Sequence, residues 1–286
     1  MKTNIPENAN DYHKVVTDYR SGNRVSKMLL QGKEGAPNNY RLNFSEVGGG
    51  SSGDWTTPRH RHTKEQFRYV LAGDYHLTDK EVVPAGWVAY FPESVYYGPQ
   101  IKSKNLSMLT LQFGGASGGG HLSPRQTQKA IETLLARGGK FEHGIYTWID
   151  EQGKRHNEDA AAATEAEAWG HKMEYPAPRY QDIIMMNVAA FSWVKDKENP
   201  GVARKNLGSF TERDTRYGFV QMEKGATLKF GTEKAPEILF LKEGVLTHEN
   251  TQYIKRTAFS TEENESPVEL KAVEPSELVY IKLPTF

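Results

Sequence analysis

Short runs of aromatic and branched residues, each closed by glycine or proline, recur along most of this 286-residue chain. Six stand out: Gln66–Leu71 (QFRYVL), Trp87–Phe91 (WVAYF), Leu106–Phe113 (LSMLTLQF), Gly218–Met222 (GFVQM), Glu237–Lys242 (EILFLK) and Glu277–Leu283 (ELVYIKL). Runs of this content, bounded by turn formers, read as strands. Many short strands at such spacing predict an all-β sandwich or barrel. Two of the runs repeat one another. Gln66 and Gly73 bracket QFRYVLAG, and Glu237 and Gly244 bracket EILFLKEG with the same gap. Two copies of one β unit, 1–120 and 176–286, are the economical reading.

Between them, 121–175 reads as a partly helical connector. Ser123 is a good N-cap, Pro124 suits the first helical position, and Gly138-Gly139 closes the helix. Ala130, Ile131, Leu134 and Leu135 fall at helical spacing and predict one apolar face. A weaker helix is expected over Ala160–Trp169, with the glutamates of 158–168 forming a solvated face. The run Gly114–Gly120 (GGASGGG) is a flexible exit from the first unit; without a Lys-Ser/Thr pair it is no phosphate cradle. The run Tyr175–Tyr180 (YPAPRY) reads as an extended linker able to fold back over a barrel mouth, which makes Arg179 a distant site candidate.

Composition narrows the partners. Lys and Arg total 36, as do Asp and Glu, so the formal net charge is zero. A nucleic-acid footprint needs a basic stripe, and none is present. The chain has no cysteine, which removes disulfides, thiolate metal sites and cysteine nucleophiles. No run approaches the 18 or so apolar residues of a membrane span, and the polar start MKTNIPENANDYHK is not a secretory signal. A cytoplasmic protein with a small-molecule partner is expected.

The densest chemistry lies in Pro58–Gly73, PRHRHTKEQFRYVLAG. His60 and His62 stand two apart, so on a strand both imidazoles share a face. Such a pair is either a pre-set metal clamp or a polar surface patch among Arg59, Arg61 and Lys64. Strand parity carries the same face to Gln66, Arg68 and Val70. An inward arginine is costly unless paired with a carboxylate or a ligand. It is read either as a clamp for an anionic substrate or as half of a structural ion pair.

This segment resembles the first motif of the cupin superfamily, G(x)5HxH(x)3-4E(x)6G. His60, His62 and Gly73 match, Gln66 stands at the Glu position, and the opening glycine is displaced, with Gly53 one position early. GWVAYFPESVYYGPQI is similar to the second motif, G(x)5PxG(x)2H(x)3N, at Gly86 and Pro92; Ser94, Tyr97 and Ile101 replace its Gly, His and Asn. In the second half Gly225, Glu237 and Gly244 keep the first motif's spacing, while Gly231 and Glu233 occupy the histidine positions. The resemblance implies two jelly-roll-like cupin barrels in one chain, a bicupin, with the site kept in the first barrel and lost from the second. His248, alone in the second, is expected at the surface or in a loop.

HRHTKEQFRYVLAG also resembles the gentisate and salicylate ring-cleaving dioxygenases, bicupins in which a non-haem Fe(II) binds substrate and oxygen together. A nearer resemblance, through HRHxxxQxRYVLxG and YYGPQ (Tyr96–Gln100), is to an uncharacterised cupin group. These imply a divalent transition metal, Fe(II) first and Mn, Ni, Cu or Zn otherwise, on His60, His62 and Gln66. Arg68 and Tyr97 are the catalytic candidates. Arg68, Gln112, Tyr90 and His76 are the substrate-binding candidates. The activity expected is a non-haem oxygenase, a dioxygenase, on a small oxygenated aromatic or enolisable molecule. A metal-assisted isomerase, cyclase or lyase and a non-enzymatic binding cupin are the alternatives. Exposed sheet edges and the two-barrel form suggest a homodimer.

Overall fold

The computed structural model describes residues 1–9, 25–46, 55–102 and 105–286. It divides into two compact units. One holds residues 33–185 with 25–27; the other holds 186–286 with 1–9 and 28–32. These units do not coincide with a division at 120 and 175. The connector is part of the first unit, and the first strand of the chain, Lys2–Asn4, pairs with Ala258–Thr261 of the second. Gly53 lies outside the described residues.

In the N-terminal unit the central antiparallel order is Trp87–Phe91, Lys64–Ala72, Ser107–Gly114, Tyr40–Glu46. A smaller sheet carries Trp55–Thr57, Gln100–Lys102, Asp74–His76 and Val82–Pro84. Their inner faces share a core of Val70, Tyr75, Val83, Ala89, Phe91, Tyr97, Leu106 and Met108. Each such apolar side chain stabilises the fold by roughly 1.5–3 kcal/mol.

The C-terminal unit repeats the plan. One sheet contains Ala258–Thr261, Glu237–Glu243, Ser276–Lys282, Arg216–Met222 and Val202–Ser209; a smaller one contains Thr227–Phe230, Val268–Ala272, Val245–His248 and Thr251–Ile254. Val220, Leu228, Leu239, Leu241, Phe259 and Leu278 fill the space between. This is the all-β, two-barrel architecture the sequence predicts.

The repeat has a steric basis. Gly73 (φ +74°) and Gly244 (φ +99°) each end the corresponding strand in left-handed conformation, and a Cβ on either would come within 2.6 Å of a backbone carbonyl, that of Asn105 or of Pro275. Only glycine fits both demands. The helix Pro124–Ala136 has the expected Ser123 cap, completed by Gln126 as a capping box. It buries Ala130, Ile131 and Leu134 against Phe141, Tyr146 and the helix Ala160–Trp169. Leu135, expected on that face, is exposed. The connector also holds a three-stranded sheet, Lys140–Glu142, Ile145–Ile149 and Arg155–Asp159.

Candidate functional site

The two histidines are not on a regular strand. His60 forms an isolated bridge to Tyr97, with reciprocal backbone hydrogen bonds of 3.0 Å, and the carbonyl of His62 accepts from the Ser94 N–H at 2.8 Å. Gly98 makes this approach attainable: it has φ +96°, and a Cβ there would sit 3.1 Å from the Pro58 carbonyl and 3.3 Å from Arg59 Cα. The YYGPQ run therefore holds the segment that carries the imidazoles.

Both rings are buried. Their centroids are 4.8 Å apart at 77°, and Tyr97 lies 4.4 Å from His60 and 6.0 Å from His62. His60 Nδ1 is 2.7 Å from the Pro58 carbonyl. A carbonyl only accepts, so Nδ1 carries the proton and Nε2 the lone pair. His62 Nδ1 stands 3.8 Å from Glu165, which also takes the amine of Lys64. Glu165 is buried, on the helix Ala160–Trp169. The sequence placed it on a solvated face; the tertiary fold turns it toward His62 instead.

The other polar groups form one directed chain. Arg41 donates to Gln112 Oε1, Gln112 Nε2 donates to Gln66 Oε1 at 3.1 Å, and Gln66 Nε2 donates to the Tyr97 hydroxyl at 2.7 Å. Arg68 also donates to Gln66 Oε1, at 2.8 Å. Arginine has no acceptor, so the two arginines fix which way both amides point. In this arrangement the Gln66 carbonyl oxygen accepts from two donors, and its amide nitrogen holds Tyr97.

Arg68 faces the same interior, 7% exposed. Its guanidinium lies over Phe91 (4.3 Å), Tyr75 (5.2 Å) and Tyr97 (5.7 Å). Nε and Nη1 have no hydrogen-bond partner, and among the described residues no carboxylate pairs with it. Burial pushes its pKa down, with Tyr97 opposing.

Two expected site residues stand elsewhere. Tyr90 alternates with Ala89 and Phe91, so it points to the opposite face of its strand, where it packs on Phe67 and Tyr180. There burial and the neighbouring Glu65 push its phenol up. His76 is half-buried and follows the inward Tyr75, so it too faces away. Tyr75 and Phe91 are instead the rings that face Arg68. His248, expected at the surface or in a loop, is the partly exposed last residue of the strand Val245–His248, with Nδ1 3.0 Å from the Glu269 carbonyl.

The linker does fold back on its own unit. Arg179 pairs with the buried Glu93 at 2.6 Å, and Tyr175 stacks on Arg61. Arg179 thus serves Glu93 and not the histidine face. His121 was missed: it is buried, with Nδ1 2.6 Å from the Leu122 carbonyl, and burial with the charges of Arg41 and Lys64 holds its pKa well below the ordinary value. Nothing in its sequence context, GGGHLSP, carries a ligand spacing.

The donor set fits a metal ion as a two-imidazole clamp. His60 offers an Nε2 lone pair and lies against the buried His62 ring, so the two imidazoles are neighbouring nitrogen donors. Among the described residues no group of three or more His, Asp or Glu is arranged to hold an ion.

No family model matches this chain, and no curated protein does. Solved structures do match, at identities that bear on fold alone. A protein of Nostoc punctiforme described as a candidate dioxygenase superposes with a TM-score of 0.57 at 10% identity, covering 96% of this chain and 81% of that one. A nickel(II) complex of a bacterial pirin from Escherichia coli gives 0.54 at 11%, covering 100% and 99%. Oxalate decarboxylase of Bacillus subtilis gives 0.53 at 11%, covering 100% and 78%. With two β-barrels from one repeat and a histidine pair in the first, the chain has the two-barrel cupin fold. No helix among the described residues is long and apolar enough to cross a membrane.

Proposed function

We propose that this chain is a metal-dependent cupin enzyme, a non-haem oxygenase that takes a small anionic substrate, aromatic or enolisable, into its N-terminal barrel. The observation that carries the reading is Arg68. A guanidinium does not deprotonate in proteins, and burying one without a counter-charge costs several kcal/mol. Its acceptors, the Gln66 amide and the Tyr97 hydroxyl, are both neutral. A bound carboxylate or enolate supplies the missing anion, received through Nε and Nη1 as a planar fork. Tyr75, Phe91 and Tyr97 offer ring faces to a flat substrate.

His60 and His62 would hold a divalent transition ion, Fe(II) ahead of Mn, Ni, Cu or Zn. Bound there, it would supply Lewis acidity and a place for oxygen. The solved structures with nickel(II) and with Mn(II) centres support a metal in this fold. The chain's own residues do the rest. Arg68 orients the anion. Gln66 holds the Tyr97 phenol oxygen in place, leaving the phenol able to exchange a proton with substrate. Glu165 places negative charge beside His62, as carboxylates do behind ligating imidazoles. The cysteine-free composition is in keeping with a cytoplasmic enzyme.

The test is oxygen uptake by Fe(II)-loaded protein against hydroxylated aromatic acids and β-keto acids. Uptake abolished by chelator and by His60→Ala/His62→Ala is the expected result. Turnover that persists under anoxia replaces the oxygenase with an isomerase or lyase. Saturable binding with no turnover of any kind leaves a binding cupin.

A further inference from the structure

The second barrel has lost the histidines but not its cavity. A cleft of about 460 Å³ opens into it, floored by Leu228, Phe230 and Leu239 and walled by Arg204, Tyr280 and Glu237. That volume is in the range of small-molecule sites.

Glu237 is 2% exposed. Its carboxylate accepts from the Tyr280 hydroxyl at 2.9 Å and the Glu233 N–H at 3.0 Å. No cation pairs with it among the described residues. Lys282, opposite it in the strand register, sends its amine to Asp214 and Thr285. Arg216 is committed to Asp214 and Glu233. An ionised carboxylate has about four lone-pair sites, so acceptor capacity remains unused beyond the two hydrogen bonds it accepts. Arg204 stands across Tyr280, 5.9 Å from its ring. It donates Nε to Asp196 at 2.8 Å, and among the described residues neither terminal nitrogen has a hydrogen-bond partner.

We propose that this cleft is a second, metal-independent binding site for a small organic acid that also carries hydroxyl or amino donors. The terminal nitrogens of Arg204 grip its carboxylate. Its hydroxyl or ammonium group donates to Glu237, offsetting the cost of that buried charge. The carbon skeleton rests on Leu228, Phe230 and Leu239. The site stands apart from the chemistry of the first barrel and does not depend on it.

The experiment is calorimetric titration of the full chain with a panel of probes: L-lactate, L-malate, D-gluconate, L-serine, L-glutamate and L-phenylalanine. Each is run against wild type, His60→Ala/His62→Ala, Glu237→Gln and Arg204→Gln, with thermal melts to confirm folding. At least one probe should bind one per chain. Its affinity should fall about tenfold or more in Arg204→Gln and in Glu237→Gln and stay unchanged in His60→Ala/His62→Ala. Arg204 lies at the rim, so its variant keeps the test informative should Glu237→Gln unfold. No binding by any probe up to about 10 mM overturns the proposal. So does binding that survives both second-barrel variants, or binding lost with the histidines.

Discussion

The two barrels share a frame and differ in the polar group placed at matched positions of the repeat. Aligned on the repeat, Gln66 corresponds to Glu237, Arg68 to Leu239, Glu65 to Pro236, and the pair His60/His62 to Gly231/Glu233. Among the described residues, Arg68 of the first barrel pairs with no carboxylate and Glu237 of the second pairs with no cation. The glycines that end the repeated strands are the same because backbone sterics allow nothing else. The polar interior is under no such constraint, and there the two repeats differ. Gly231 cannot simply revert: it has φ +82°, and a Cβ there would meet Thr261 at 2.9 Å.

The largest effect should separate the barrels outright. His60→Ala/His62→Ala should cut substrate-dependent oxygen uptake by about a thousandfold or more, while Glu237→Gln should change it little. Equal losses would dissolve the contrast.

Exchanging one charged position comes next. Arg68→Leu copies the second barrel into the first. It should lower kcat/KM for an anionic substrate by about a hundredfold, the size expected for a buried charged contact. The same variant should melt higher, because a buried unpaired charge is replaced by an apolar side chain. A lower melting temperature would mean that Arg68 is already compensated in the ligand-free protein.

Glu65 gives the first barrel a pH dependence that Pro236 cannot give the second. Burial raises its pKa from 4.5 to about 7, against a hydrogen bond from the Ala116 N–H. The folded state therefore holds the proton more tightly than the unfolded chain. This group's contribution to stability is lost as pH climbs from 4.5 through about 7. Glu65→Gln should remove that loss and gain up to about 3 kcal/mol over wild type at pH 8, with little difference at pH 4. Denaturant unfolding at both pH values measures it, and parallel curves would refute it.

The smallest effect is expected from Gln66→Glu, which copies Glu237 into the first barrel. The new carboxylate should pair with Arg68, raise stability, and weaken binding of an anionic substrate about tenfold. Tighter binding would show that Arg68 does not receive the anion.

The frame was legible because its signals are local. Strand runs, the Ser123 cap, the terminal glycines and the HxH pair each sit within a few residues of one another. Arg68 was legible too, since parity along one strand put it on the face of Gln66. What failed depended on other elements. Tyr90 and His76 carry the right chemistry at the wrong parity. Glu165 lies about a hundred residues from His62 and looks like one more helix-surface acid. The hydrogen bonds of Gln66 to Arg68, Gln112 and Tyr97 were not legible, because no single segment displays them together.

The most direct test of the account is metal stoichiometry. Anaerobically purified wild type, titrated with Fe(II), Mn(II) and Ni(II) and read by elemental analysis with X-ray absorption, should hold one ion per chain on two imidazole nitrogens. The ion should vanish in His60→Ala/His62→Ala and persist in Glu237→Gln. A wild type that takes up none of these ions, or an ion that survives loss of both histidines, would contradict it.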